Sequence, residues 1–124
     1  MEQAGGGNEM TVSITGDRNN YTSPTPFGIP LNGPSSPAFS GAAALANTVG
    51  LGKGDLIQTG GFNNMSLTVV GDQNSFAMSQ AGSSTINGLI DGDRNQAVVV
   101  QAGVSNMANF SQIGNGNNAG IIQN

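Results

Sequence analysis

The chain has 124 residues, a formal net charge of −4 and charged side chains at only 8% of positions, against ~25% in an ordinary soluble domain. It contains no Cys and no His, which excludes a disulfide framework, a thiolate nucleophile, Cys-ligated metal and the commonest general base. With only 3 basic residues it is a poor partner for nucleic acid or an anionic membrane, and no apolar run approaches the ~20 residues of a membrane-spanning helix.

Carboxamides replace the missing charge: 16 Asn and 8 Gln, beside 20 Gly. Such compositions are often disordered yet prone to β-aggregation, so the question is whether the amides are scattered or periodic. At the N-terminus, Met1-Glu2-Gln3 has neither the basic nor the apolar region of an export signal. A cytoplasmic chain, or a mature form that has lost its signal, is expected.

The first repeat occupies residues 1–19. Gly5 and Gly16 are 11 residues apart, and each is followed three positions later by Asn, at Asn8 and Asn19. Between them Met10, Val12 and Ile14 alternate with Thr11 and Ser13. Period-2 alternation marks a strand with one face inward.

Residues 20–49 break the pattern. All 5 prolines fall here, at Pro24, Pro26, Pro30, Pro34 and Pro37, and proline cannot donate to a central ladder. The stretch reads as an insertion loop of about 23 residues beyond the 11 that the repeat requires. Its run Gly41-Ala42-Ala43-Ala44-Leu45-Ala46-Asn47 has the composition of a helical turn, and Phe27, Ile29, Leu31 and Phe39 are apolar enough to pack.

From residue 50 to 124 the repeat resumes. Gly50, Gly60, Gly71, Gly82, Gly92, Gly103 and Gly114 follow one another at 10 or 11 residues. Asn63, Asn74, Asn95, Asn106 and Asn117 take the position three after Gly, with Lys53 and Thr85 as the exceptions. The inward stripe continues through Met65, Leu67, Val69, Phe76, Met78, Ile86, Ile90, Val99, Phe110 and Ile121. Gln58, Gln80, Gln101, Gln112 and Gln123 hold the inward position nearest the turn. Val98 and Val100 make one outward face apolar. The turns, such as Gly71-Asp72-Gln73-Asn74, use residues that tolerate φ > 0 or bond their own backbone.

Each unit is thus a strand and a tight turn, and two units make a rung of about 22 residues. The pattern predicts an all-β fold, a β-solenoid of stacked strand–turn–strand rungs with two parallel, in-register sheets. Buried amides cost roughly 1–3 kcal/mol each if unpaired. Stacking can pair them, because a carboxamide can bond identical neighbours above and below. The Asn and Gln sets are therefore expected to form ladders along the stack. The repeat-bearing ends, Gln3-Ala4-Gly5 and Gln123-Asn124, carry no helix, proline or charge cluster. Open edges are expected there, and stacking one chain's end on the next chain's start gives a heterologous contact that does not close, hence a fibre.

Residues 101–123 resemble the repeat of the curlins, subunits of bacterial curli fibres: Gln-x-Gly-x-x-Asn-x-Ala-x-x-x-Gln. Gln101-Ala-Gly103-Val-Ser-Asn106-Met-Ala108-Asn-Phe-Ser-Gln112 fits at every position, and so does the copy from Gln112 to Gln123. Gln80-Ala-Gly82 begins a degenerate copy and Gln3-Ala-Gly5-Gly-Gly-Asn8 the opening of another. The resemblance implies secretion across a Gram-negative outer membrane, extracellular amyloid fibres, and a role in biofilm matrix and adhesion. Its implied partners are further copies of the chain, a nucleator subunit and outer-membrane secretion machinery. The proline-rich insertion lies outside the family pattern. A major subunit, a minor nucleating subunit and a discrete solenoid module of an adhesin all fit it.

Other chemistries fit less well. Asp17, Asp72 and Asp93 share the turn position after Gly, but a calcium roll needs denser Asp at a nine-residue period. Arg18 and Arg94 follow two of them and offset their charge. Thr11, Thr68 and Thr85 are too scattered for an ice-binding array. No Gly-rich stretch opens a phosphate-binding helix, and no carboxylate pair suggests catalysis. No catalytic residue, metal or cofactor is expected.

Overall fold

A computed structural model of the chain describes residues 1–20 and 42–124. The prolines of the insertion, and Phe27, Ile29, Leu31 and Phe39, lie outside the described residues. Among the described residues the architecture is a β-solenoid of nine strands and one helix: β1 (Glu2–Ala4), β2 (Glu9–Thr15), α1 (Ala42–Val49), β3 (Leu56–Thr59), β4 (Asn64–Val70), β5 (Ser75–Ala81), β6 (Ser83–Asp91), β7 (Gln96–Gln101), β8 (Val104–Ile113) and β9 (Asn118–Gln123).

Odd-numbered strands form one sheet in the order β1-β3-β5-β7-β9, and even-numbered strands the other, in the order β2-β4-β6-β8. Every pair is parallel. The register superposes equivalent residues: Met10, Met65, Ile86 and Ala108 form one inward column, and Ile14, Val69, Ile90 and Gln112 another. Period-2 side chains make register and burial the same choice, since a one-residue slip would turn every inward side chain to water.

The core lies between the sheets. Met65, Leu67, Val69, Phe76, Met78, Ile86, Ile90 and Val99 are buried, with Met10, Val12, Phe110 and Ile121 packed against them. Ile14 keeps the inward phase but is 48% exposed, because β2 is the edge of its sheet. Volume is balanced between rungs. A Cβ on Gly88 would strike the Phe110 ring, so the ring occupies the room that the missing side chain leaves.

The insertion leaves the solenoid within a rung rather than between rungs. Asn20 is still bonded to the start of β5: its N–H donates to the Asn74 carbonyl at 2.7 Å, and its Oδ1 accepts the Phe76 N–H at 2.8 Å. The Gly54 N–H then donates to the Phe76 carbonyl, so the chain rejoins the same level. Asn19 and Asn74 are 55 residues apart, against 22 for Asn95 and Asn117, so the insertion adds 33 residues. Gly50 is therefore not a turn glycine of the repeat. It follows α1 with φ 74°, the left-handed residue that ends a helix. Lys53 likewise belongs to the return segment and to no Asn column. Its partial burial lowers the ammonium from its ordinary value.

The helix explains the apolar outward face. α1 begins in an alanine run of high helix propensity and lies on β7 and β9. Ala42, Leu51, Ala77 and Val98 are buried together, with Leu45, Ile57 and Val100 packed against them. The Ala42 N–H donates to Asn118 Oδ1 at 2.7 Å, so a strand side chain satisfies one of the orphan amides of the helix N-terminus. Burying Val98 contributes roughly 2 kcal/mol. Val98→Asp should detach α1 and leave the rungs intact. The expected readout is fast amide exchange in residues 42–49 with slow exchange kept in β4 to β8.

Candidate functional site

The polar side chains are organised in columns that run the length of the stack, each set by the repeat. Among the described residues no group of His, Cys, Asp or Glu could hold a metal ion.

The first column is made of glutamine. Gln3, Gln58, Gln80, Gln101 and Gln123 are in register on the odd-numbered sheet. Gln3 Nε2 donates to Gln58 Oε1, Gln58 to Gln80, Gln80 to Gln101 and Gln101 to Gln123, at 2.6, 2.9, 3.0 and 2.6 Å. Four of the five amides also donate across the core to a carbonyl of the other sheet: Gln58 to Glu9, Gln80 to Asn64, Gln101 to Thr85 and Gln123 to Met107. Gln58 and Gln80 are fully buried and Gln101 nearly so. Three bonds on each of Gln58, Gln80 and Gln101 offset the desolvation that burial imposes. All four rung-to-rung bonds point the same way, and such a chain polarises its members cooperatively.

Gln112 does not belong to this column. It lies on the even-numbered sheet, stacked on Ile90. Its Nε2 donates to the Gln96 carbonyl at 2.9 Å, but its Oε1 is buried without a partner, because Ile90 has nothing to donate. The −2 phase alternates between the two sheets, and sequence periodicity alone merged them. Gln112→Leu should be neutral or stabilising by up to about 1 kcal/mol. Ile90→Gln, which supplies the missing donor, should be tolerated where Ile90→Glu is not. Urea midpoints of the three variants check this.

The asparagines form two columns, one at each turn; Asn63 Nδ2 donates to Asn8 Oδ1 at 3.1 Å as an amide-to-amide ladder would have it, and the other steps bond the backbone instead. In the column Asn19, Asn74, Asn95 and Asn117, each Oδ1 accepts the backbone N–H of the next Asn at 2.9 Å. Each Nδ2 donates to the carbonyl of the next turn glycine: Asn19 to Gly71, Asn74 to Gly92 and Asn95 to Gly114. The side chain thus staples one turn's backbone to the next. At the opposite turn Asn8 Oδ1 accepts the Asn63 N–H at 3.0 Å, and Asn63 Oδ1 accepts the Ser84 N–H at 3.1 Å. The turn after Gly82 is one residue shorter than that after Gly103, so Ser84 fills the place that equal spacing assigned to Thr85. Asn106 closes on its own turn by donating to the Ala102 carbonyl.

The turn aspartates bond along the stack as well. Asp17 N–H donates to Asp72 Oδ1, Asp72 N–H to Asp93 Oδ1 and Asp93 N–H to Asn115 Oδ1, at 2.7–2.8 Å. Asn20 follows the last residue of the first repeat, so the periodicity gives no signal for its part in the stack. The shared turn position of Asp17, Asp72 and Asp93 was the available signal for their column.

The turn glycines hold the columns together. Gly5, Gly16, Gly60, Gly71, Gly82, Gly92, Gly103 and Gly114 all have φ between 86° and 122°. At Gly5, Gly16, Gly71, Gly82 and Gly92 a Cβ would overlap the carbonyl of the next turn. Stacking at strand spacing therefore requires hydrogen there.

No protein-family model matches this chain, and no curated protein does.

Proposed function

We propose that this chain is a structural subunit that stacks on copies of itself into a curli-like, cross-β extracellular fibre serving biofilm matrix and adhesion. The observation that carries the reading is the glutamine column. It runs through the five strands of the odd-numbered sheet with one bond polarity, so each level offers a carboxamide acceptor on one side and a donor on the other. Any rung laid on the stack in the same register meets a complementary partner. The low charge fits this use, since few ionic side chains need to be brought into like-on-like contact. The chemistry is that of a template, and no step of bond making is assigned to any residue.

Purified chain at high concentration should form fibres with a ~4.7 Å meridional reflection and a ~10 Å equatorial one. A chain that remains monomeric through prolonged incubation, seeded or not, would overturn the reading.

A further inference from the structure

Asparagine followed by glycine is a reactive pair, because a residue without a side chain lets its backbone nitrogen reach the neighbouring carboxamide. The sequence holds three such pairs, and two lie among the described residues: Asn87-Gly88 in β6 and Asn115-Gly116 in the turn after β8. We propose that Asn115 is a site of spontaneous amide-to-acid conversion, and that the acid product joins the turn column of Asp17, Asp72 and Asp93.

Water is the only co-reactant. The Gly116 nitrogen, its proton given to solvent base, attacks Asn115 Cγ. The Cγ–Nδ2 bond breaks, and the nitrogen takes a proton from water and leaves as ammonia. Water then opens the cyclic imide. Breaking the new bond from Cγ to nitrogen gives aspartate. Breaking the original peptide bond gives isoaspartate, whose backbone runs through Cγ and is one carbon longer.

The turn holds both reacting groups against one residue. Asn115 and Gly116 are exposed. The Asp93 N–H donates to Asn115 Oδ1 at 2.7 Å, and the Gly116 N–H donates to the Asp93 carbonyl at 2.9 Å. Only the second bond has to open before attack. The first works with the reaction, since an N–H already aimed at Oδ1 stabilises the negative charge that this oxygen gains as Cγ becomes tetrahedral.

Asn87 has no such arrangement. β6 lies between β4 and β8, with Gly88 in register with Leu67 and Phe110. Asn87 Nδ2 donates to Asn109 Oδ1 at 2.9 Å, which ties down the nitrogen that would have to leave. The Gly88 nitrogen can approach the carboxamide only when a strand paired on both sides is pulled from its sheet, and such strands open last.

The acid fits where it forms. Asp72 and Asp93 each accept the N–H of the preceding turn through Oδ1, as Asn115 accepts that of Asp93. Aspartate at position 115 therefore keeps the turn and lengthens the carboxylate column by one negative charge. Isoaspartate displaces Gly116 and Asn117, so the bonds from Gly116 to the Asp93 carbonyl and from the Asn117 N–H to Asn95 Oδ1 are lost.

Trypsin separates the two sites. Cutting after Arg18, Lys53 and Arg94 leaves Asn87 in the peptide 54–94 and Asn115 in 95–124. In the folded chain, aged at mildly alkaline pH, Asn115 should gain the amide-to-acid mass change at least about tenfold sooner than Asn87, because opening a turn costs less than freeing a central strand. In urea the two should convert at similar rates. Fragmentation of each peptide assigns the change to its residue. Gly116→Ala, whose Cβ meets nothing within 4 Å, should slow conversion at position 115 severalfold in a chain that still folds. Asn115→Asp should keep the urea midpoint of the parent. Equal rates for the two asparagines in the folded chain, or an Asn115 that converts only in urea, overturn the proposed site. A midpoint of Asn115→Asp well below the parent's overturns the fit of the acid to the column.

Discussion

Gly82→Ala should abolish stable folding, while Gly116→Ala should be tolerated. Both glycines have positive φ, 103° and 71°, so both substitutions incur the left-handed penalty of about 1 kcal/mol. They differ in what stands above them. A Cβ on Gly82 would overlap the carbonyl carbon and oxygen of Gly103, whereas one on Gly116 meets nothing within 4 Å. The obstructing atoms are backbone, held by strands on both sides of the turn, and cannot swing away as a side chain could. Relief requires rungs to part, which breaks the nearest-neighbour contact on which a solenoid's stability depends. The expected cost is roughly 4 kcal/mol or more, a large share of the about 5–15 kcal/mol available to a domain. Circular dichroism and a urea titration of the two variants give the comparison. Equal midpoints would mean that the turns are not stacked this closely.

Truncation in the middle of the glutamine column should be nearly as damaging. In Gln80→Ala one N–H of Gln58 loses its acceptor and Gln101 Oε1 loses its donor, and both amides are buried. Each orphaned group costs about 1–3 kcal/mol, and the cavity adds to it, for a total near 4 kcal/mol. Gln123→Ala, at the partly exposed end of the column, strands only one N–H of Gln101 and should cost about 1 kcal/mol. The double variant Gln80→Ala/Gln101→Ala should cost less than the sum of its parts by about 1–2 kcal/mol, because the bond they share is lost once. Strict additivity would show that the amides act as separate polar groups rather than as a column.

Much of this fold was legible because a solenoid repeats its physics. The 11-residue spacing of glycine and asparagine, with alternating side chains between, required short strands and tight turns stacked in register. The structure has that form. Sequence was a poorer guide wherever a residue's neighbour belonged to another rung. Gln112 and Gln101 have the same local pattern, yet one meets Gln123 and the other Ile90. Gly50 fell at a repeat interval by coincidence, and only the path of α1 places it at a helix end. Thr85, three residues after Gly82, stands as an exception to the asparagine position because the turn there is one residue short and Ser84 takes the place, which spacing cannot see.

The sequence by itself determined the strand period, the turn positions, the inward face and the need for stacked amides. Those follow from side-chain alternation and from the backbone angles that glycine and asparagine permit, both local properties. The tertiary structure decided which amide bonds which partner, that most of the turn asparagines staple backbone rather than one another, and that α1 covers Val98 and Ala77 on the odd-numbered sheet. Those outcomes depend on what lies one rung away, about 22 residues along the chain, or 55 where the insertion intervenes. A period fixes that such a neighbour exists, and only the folded stack fixes which residue it is.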